Sequence, residues 1–142
     1  MDDDNTYSID LFKEMNKIEE NRVGVFPVGL VGGLYVEKPI LKDDIVIGFN
    51  SLWRPERPFP VDMAGFAISG NLFIKYPEAV FSYEVERGYQ ESEILRHVTV
   101  TKELQPLAKM CTEILVWHTR TETPKLSGEK NLKELSITGM LE

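Results

Sequence analysis

The stretch that decides the fold is RVGVFPVGLVGGLYVEKPI, residues 22–40, in which two apolar runs flank a glycine-rich break. The first run, residues 22–28, is rich in β-branched residues, which favour strands. Glycines mark the break over residues 29–33, and a second extended run follows over residues 34–40. The stretch therefore predicts strands joined by a turn at the centre of the fold.

Further strands and two helices are predicted on either side of this stretch. A polar turn at residues 42–44 leads into a third strand, residues 45–49, and residues 112–117 have the pattern of another core strand. A short helix is predicted over residues 91–97. An amphipathic helix is predicted over residues 8–20, where the apolar residues at helical spacing are Leu11, Phe12, Met15 and Ile18. Strands mixed with helices place the chain in the α/β or α+β class.

Two segments are not predicted to form central strands or long helices. The run WRPERPFP, residues 53–60, carries three prolines in six positions, and each proline removes a backbone donor. A stiff, ordered loop is expected there, and the apolar residues 61–69 that follow are expected to pass into a short helix before Pro77. Residues 125–142 are polar and weakly patterned, and we interpret them as an extended tail or docking segment.

Composition and charge narrow the functional classes. The 142 residues predict one domain, and 23 acidic against 16 basic residues give a net charge of −7, which argues against a protein that mainly binds nucleic-acid phosphates.

Cys111 is the single cysteine, so an internal disulfide is excluded and a buried small residue is expected. Residues 1–4 lack the basic start of a signal peptide, and the longest uncharged stretch, residues 23–36, is shorter than the about 18 apolar residues that a spanning helix needs.

The first candidate for chemistry is the triplet Asp2, Asp3 and Asp4. In an extended segment Asp2 and Asp4 share a face, and paired carboxylates suit Mg²⁺ or Mn²⁺, which keep coordination positions open for substrate phosphates. The alternative is a solvated acidic N-terminus that caps the following helix.

The second candidate is the proline loop with Trp53, Arg57 and Asp62. An aromatic face beside a fixed cation and anion suits the apolar and hydroxyl surfaces of a sugar, although a structural loop with a surface ion pair is the alternative. Glu91, at the predicted start of a helix, suits a general base for a hydroxyl. Its alternative role is that of a partner for the helix dipole.

His118 and Arg120 form the third candidate, since they follow a predicted core strand two residues apart. Both side chains then face one anionic ligand at the carboxyl end of the strand, where two donors suit a diphosphate. The alternative for His118 is a structural or surface histidine, and His97 is interpreted as a surface or helix-terminal residue.

Five motifs in one order resemble a known family. They are DDDNTYS at residues 2–8, VGGL at 31–34, RPFPVDMAGFA at 57–67, GYQES at 88–92 and LVWHTRTE at 115–122. Together they resemble the β-1,3-glucuronyltransferases of glycosyltransferase family 43, over residues 2 to about 124. Trp53, ahead of the proline loop, makes the chain more similar to the proteoglycan linkage-region member than to the carbohydrate-epitope members.

The resemblance implies an inverting, Mn²⁺-dependent transfer of glucuronic acid from UDP-glucuronate to a terminal galactose, in an α/β, GT-A-like fold with a mixed sheet. By that likeness Asp4 is the direct Mn²⁺ ligand, and Asp2 and Asp3 act through the nucleotide ribose or a metal-bound water. His118 and Arg120 face the diphosphate and glucuronate of the donor.

The same resemblance implies roles on the acceptor side. Glu91 is the base that removes the proton from the acceptor hydroxyl. Arg57 and Asp62 orient the acceptor galactose, and Trp53 and Glu37 contact the next sugar.

The resemblance also carries departures. In the family a membrane anchor, a stem and a nucleotide-binding half precede the aspartates, so we interpret residues 1–124 as the acceptor-side, C-terminal portion, followed by the tail 125–142. The strand that presents Asp4 is expected to be missing, which leaves the aspartates on a frayed terminus. The family implies a lumenal Golgi location and a homodimer, but the tail lacks the family's acidic ending. A non-catalytic carbohydrate-binding remnant is the alternative function.

Overall fold

The computed structural model describes residues 4–120, 123 and 125–129, which form two mixed β-sheets together with short helices. The strands are β1 Thr6–Tyr7, β2 Val23–Val25, β3 Val28–Gly29, β4 Val36–Lys42, β5 Ile45–Asn50, β6 Phe66–Ile68, β7 Gln105–Pro106 and β8 Val116–Trp117. The helices are α1 Ile9–Met15, α2 Gly70–Lys75 and α3 Gln90–Val98, with 3₁₀ turns at Met63–Gly65 and Thr101–Glu103.

The larger sheet has the strand order β1-β8-β3-β4-β5, and the smaller has the order β6-β2-β7. In the larger sheet β3 and β8 are parallel and the other neighbours are antiparallel. In the smaller sheet β2 is antiparallel to β6 and parallel to β7. Mixed sheets combined with helices confirm the predicted α/β class in its broad sense.

Residues 22–28 form two short strands rather than the single strand predicted. The chain leaves the smaller sheet after β2, passes through Phe26 and Pro27, and enters the larger sheet as β3. Pro27 has no N–H to continue a ladder, and the Phe26 N–H bonds to the carbonyl of Gly65 at 3.0 Å. This crossing joins the two sheets through a buried segment.

The hairpin of β4 and β5 follows the prediction closely. Asp43 and Asp44 form its turn with φ of 50° and 63°, the left-handed geometry that Asp tolerates and that matches the twist of a hairpin. The β4 strand begins at Val36 rather than at Leu34, because the Leu34 N–H closes a turn onto the carbonyl of Val31 at 3.0 Å.

Helix α1 begins as predicted and ends early. The Ser8 side chain caps it by accepting from the Asp10 N–H at 3.2 Å. The helix ends at Met15, five residues before the predicted end, and Ile18 closes a turn onto the Met15 carbonyl at 3.1 Å. Helix α3 extends the predicted residues 91–97 by one residue at each end, and α2 follows residues 61–69 before Pro77 as expected.

The segment before β8 explains why that strand is shorter than predicted. Residues Ala108, Lys109, Met110 and Cys111 all have φ between 53° and 59°, so they form a left-handed turn. Such a turn is unfavourable for residues other than glycine, and it delays the extended backbone until Val116. Cys111 is buried, as predicted, and burial raises the pKa of its thiol to about 12.

Two clusters of buried apolar side chains form the core. One joins β2 and β5 to α2 and α3, and it contains Val23, Val25, Val46, Phe59, Val61, Leu72, Ala79, Ile94, Leu95, Val98 and Leu104. The other joins α1 to β3 and β8, and it contains Leu11, Phe26, Val28, Val31, Leu107, Ala108, Leu115 and Val116. Within the described part of the chain, no helix has the length and apolar character needed to cross a bilayer.

Candidate functional site

A cavity of about 320 Å³ brings together side chains from widely separated parts of the chain. The predicted site residues that line it are Glu37, Trp53, Arg57, Asp62, Glu91, His118 and Arg120. The predicted base, the predicted acceptor-side residues and two of the four predicted donor-side residues therefore meet at one place, whereas Asp4 is outside the lining. A larger apolar groove of about 490 Å³ holds none of the predicted site residues.

Arg57 ties the two sides of the cavity together. Its side chain is buried, and its Nε, Nη1 and Nη2 groups donate to the carbonyls of Arg54, Gly88 and Trp53, each at 3.2 Å. The three acceptors belong to the proline loop and to the turn that precedes α3. Arg57 therefore fixes the position of one segment relative to the other.

Trp53 lies between this guanidinium and a glycine. The Arg57 guanidinium carbon lies 4.7 Å from the centroid of the Trp53 ring, within range of a cation–π contact. Gly88 has φ of 90°, and a Cβ atom there would lie 2.0 Å from the Trp53 ring. No other residue type fits this contact, and 46% of Trp53 remains exposed for a ligand.

Glu91 is held in the first turn of α3, at the cavity wall. Its Oε2 lies 3.8 Å from the Arg57 Nη1. The next residue, Ser92, anchors the helix to the proline loop, because its hydroxyl accepts from the Phe59 N–H at 3.1 Å and contacts the Phe59 carbonyl at 3.2 Å. The carboxylate of Glu91 thus has a fixed position beside a buried cation.

Glu37 on β4 is a nearly fully buried acid in the cavity, with 5% of its surface exposed. The Ser51 hydroxyl donates to its Oε2 at 2.7 Å. Burial raises the pKa of Glu37 to about 7, because loss of solvent disfavours the charged form and the negative charge of Asp62 adds to this, while Ser51 and Arg57 act in the opposite direction.

Asp62 and His118 face each other across the cavity. The Asp62 Oδ2 lies 3.6 Å from the His118 Nδ1, and the Asp62 Oδ1 accepts from the Ala64 N–H at 2.9 Å. The backbone N–H of His118 donates to the Gly29 carbonyl at 2.8 Å, which fixes the residue directly after β8. Arg120 follows on the same strand extension and is exposed.

A second cavity, of about 430 Å³, adjoins the first through His118 and Arg120. Gly32 and Gly33 form part of its wall, and Lys125 adds a further cation. The basic side chains in its lining, His118, Arg120 and Lys125, make this cavity suited to an anionic ligand.

Asp4 lies near the same strand end. Its carbonyl accepts from the Thr119 hydroxyl at 2.9 Å, and that hydroxyl also contacts the Thr6 hydroxyl at 2.8 Å. Strand β1 begins at Thr6, two residues after Asp4, and pairs with β8, so the Asp4 backbone is held by its bond to Thr119 and by this pairing. For Asp4 this differs from the frayed terminus that was expected. Asp2 and Asp3 lie outside the described residues, as does most of the tail from Lys125.

The metal prediction rests on Asp4 alone within the described residues. Asp4 is exposed, and no cluster of three or more His, Cys, Asp or Glu side chains able to hold a metal occurs among residues 4–120, 123 and 125–129. One open carboxylate fits a hard cation that takes its other ligands from phosphate oxygens and water.

Sequence reasoning missed the supporting residues of the site. Ser51 and Ser92 carry no signal of their own, because a serine that bonds to a distant acid or loop looks like any other serine. Gly88 was detectable only as a member of the quoted motif at residues 88–92. The cross-chain bonds of Arg57 depend on tertiary contacts and follow no local pattern.

We expect the buried acid to give the chain a distinctive pH dependence. Glu37 releases its proton near its ordinary pKa of 4.5 when unfolded and near 7 when folded. Its contribution to the free energy of unfolding is therefore fully present below about pH 4.5 and is lost as the pH rises through 7. Between pH 4.5 and pH 8, the free energy of unfolding of Glu37→Gln should therefore rise by about 3 kcal/mol relative to that of the unchanged chain.

Denaturant unfolding at several pH values measures this difference. The matched control is Glu78→Gln, which changes an exposed glutamate and should follow the unchanged chain at every pH. Parallel pH profiles for Glu37→Gln and the unchanged chain would show that Glu37 titrates normally.

Comparisons with known proteins identify the family of this chain. The family model described as glycosyltransferase family 43 matches residues 1–122. The chain is 68% identical over 134 residues to galactosylgalactosylxylosylprotein 3-beta-glucuronosyltransferase I of Drosophila melanogaster, covering 93% of this chain and 44% of the relative. It is 52% identical over 130 residues to galactosylgalactosylxylosylprotein 3-beta-glucuronosyltransferase sqv-8 of Caenorhabditis elegans, covering 90% of this chain and 36% of the relative. It is also 52% identical over 132 residues to galactosylgalactosylxylosylprotein 3-beta-glucuronosyltransferase 3 of Homo sapiens, covering 93% of this chain and 39% of the relative. The chain thus spans about two fifths of the length of these relatives, and it belongs to glycosyltransferase family 43.

Proposed function

We propose that this chain carries the acceptor-side and catalytic part of an inverting, Mn²⁺-dependent glucuronosyltransferase. The proposed reaction transfers glucuronic acid from UDP-glucuronate to a terminal galactose, as in the glycosaminoglycan–protein linkage region of proteoglycans. The names of the relatives support the reaction class, because they describe 3-beta-glucuronosyltransferases of a galactosylgalactosylxylosylprotein. The observation that carries the proposal is the cavity that joins Glu91 to an aromatic and polar surface suited to a sugar.

The acceptor side of the proposal rests on the half-exposed Trp53. Its ring offers an apolar face to the C–H groups of a sugar, and the carboxyl groups of Asp62 and Glu37 offer hydrogen-bond partners to the sugar hydroxyls. In this scheme Asp62 and Arg57 orient the galactose, while Trp53 and Glu37 contact the next sugar. Arg57 contributes largely by holding Trp53, because three of its N–H directions are occupied by backbone carbonyls.

Glu91 is the proposed general base. Its carboxylate takes the proton from the attacking galactose hydroxyl while the oxygen bonds to the anomeric carbon and the bond to UDP breaks. Attack from the face opposite the leaving group inverts the anomeric centre, and one base is sufficient for it. The fixed position of Glu91 beside Arg57 supports this role, because proton transfer requires a constant donor–acceptor geometry.

The donor side of the proposal uses the basic strand end. His118 and Arg120 line both cavities and are the proposed contacts for the diphosphate and glucuronate. Asp4, tied to Thr119 between these two residues, is the proposed Mn²⁺ ligand, with Asp2 and Asp3 in supporting roles. When bound, the ion would stabilise the negative charge that develops on the leaving diphosphate.

The proposal extends to the wider setting of the family. A GT-A fold, a lumenal Golgi location and a homodimer follow from the likeness to the family, and they are properties of the whole protein. Residues 1–124 are the proposed catalytic region, and residues 125–142 the tail.

We expect transfer to depend on both the metal and Asp4. In a chimera in which this chain replaces the matching part of the Drosophila melanogaster relative, Asp4→Ala should abolish nearly all transfer, and chelation should have the same effect. Asp10→Ala, which changes an exposed aspartate outside the cavities, is the control and should retain activity. Full transfer in excess chelator would remove the metal from the mechanism.

We expect the base and the aromatic contact to separate kinetically. Glu91→Gln retains size and hydrogen bonding but not basicity, so kcat in the chimera should fall by about a hundredfold or more with little change in donor binding. Trp53→Ala should mainly raise the KM for the acceptor. Glu93→Gln, two residues along α3 and outside the cavity, is the matched control.

Steady-state kinetics with both substrates varied give these constants. Intact turnover in Glu91→Gln with lost UDP-glucuronate binding would make Glu91 a donor contact instead of the base. A chimera that binds galactosides but never transfers glucuronic acid would favour the carbohydrate-binding remnant.

A further inference from the structure

The imidazole of His118 has a buried nitrogen that lacks a hydrogen-bond partner. Its Nδ1 is inaccessible to solvent and makes no hydrogen bond within the described residues. The Asp62 Oδ2 lies 3.6 Å away, slightly beyond hydrogen-bond length. A buried polar atom without a partner is costly, so a small closure of this gap is favourable.

Asp62 is held with one oxygen directed at this nitrogen. Its Oδ1 accepts from the Ala64 N–H at 2.9 Å and caps the 3₁₀ turn Met63–Gly65. The bond to the backbone leaves Oδ2 as the oxygen that faces His118. Both side chains are largely buried, with 18% of Asp62 and 26% of His118 exposed.

The exposed part of the His118 ring lies away from Nδ1, because Nδ1 itself is inaccessible. Nε2 is the other polar atom of the ring, so it is the one available to a ligand in the adjoining cavities. An ionised carboxylate only accepts hydrogen bonds, so a neutral imidazole that bonds to it must carry its proton on Nδ1.

We propose that Asp62 is a positioning residue that holds His118 in the Nδ1–H tautomer, with Nε2 presented to the anionic donor. The part played by the donor rests on the function proposed above, while the tautomer does not. The other ionisable groups that line the same cavity are Glu37, Arg57, Glu91 and Arg120. Asp62 therefore has two proposed roles. It orients the acceptor sugar directly, and it positions His118 for the donor.

The substitution Asp62→Asn gives a direct test of the proposed tautomer. The side-chain oxygen of the asparagine must still accept from the Ala64 N–H, which turns its NH₂ group toward His118. An NH₂ group donates, so Nδ1 must then be unprotonated and the proton must move to Nε2. The substitution should reverse the tautomer without changing the shape of the site.

Nitrogen-15 NMR of the histidine side chains in the purified chain, at a pH where both imidazoles are neutral, tests this. The sequence has two histidines, so His97 is an internal reference, and Glu93→Gln should change His97 alone, because Glu93 lies 3.3 Å from its Nε2. We expect the Nδ1–H form for His118 in the unchanged chain and the Nε2–H form in Asp62→Asn.

An Nε2–H form of His118 in the unchanged chain would overturn the proposal, and that measurement requires no variant to fold. Unchanged His118 signals in a folded Asp62→Asn variant would also overturn it. Because the NMR measurement involves no turnover, it separates the two claims. The Nδ1–H form of His118, together with a chimera that transfers no glucuronic acid, would refute the proposed function and leave this inference standing.

Discussion

The buried guanidinium of Arg57 is the interaction on which the cavity depends. A cation removed from water must find partners, and Arg57 finds them in the carbonyls of Trp53, Arg54 and Gly88, with Glu91 at 3.8 Å. These partners lie on the proline loop and on the turn and first residues of α3. Because the planar guanidinium donates in several fixed directions, it joins these segments in one geometry.

The electrostatics of the site depend on this buried cation and on the acids around it. Glu37, Asp62 and Glu91 line one cavity with Arg57, so three carboxyl groups share one buried guanidinium. Burial outweighs the attraction to Arg57 for Glu37, and its raised pKa allows it to hold a proton near neutral pH. A protonated Glu37 lessens repulsion among the acids and gives the cavity a hydrogen-bond donor as well as acceptors.

Much of this architecture was predictable from local patterns, and the remainder depends on distant contacts. The turn at Asp43–Asp44, the start of α1 and the helix around Glu91 carry local signals, and the structure confirms them. The change of sheet at Pro27 was missed, because β-branched residues favour strands without specifying which sheet they join.

The residues of the site likewise fall into two groups, those that the sequence identified and those that it did not. Trp53, Glu91 and His118 were identified by residue type and by resemblance, and the structure places them in the lining of one cavity. Ser51, Ser92 and the carbonyl partners of Arg57 were not identified, because their importance arises only when loops far apart in sequence meet.

Hydrogen exchange in an Arg57→Lys variant tests the central claim most directly. Lysine retains the positive charge but cannot donate to three carbonyls in the directions of a guanidinium. The account predicts that the amides of Phe59 and Tyr89, which bond to Ser92 and Glu86, lose about tenfold or more protection while the β4–β5 hairpin is unchanged. Unchanged protection at Phe59 and Tyr89 would contradict it, since the loops would then be held together without the guanidinium.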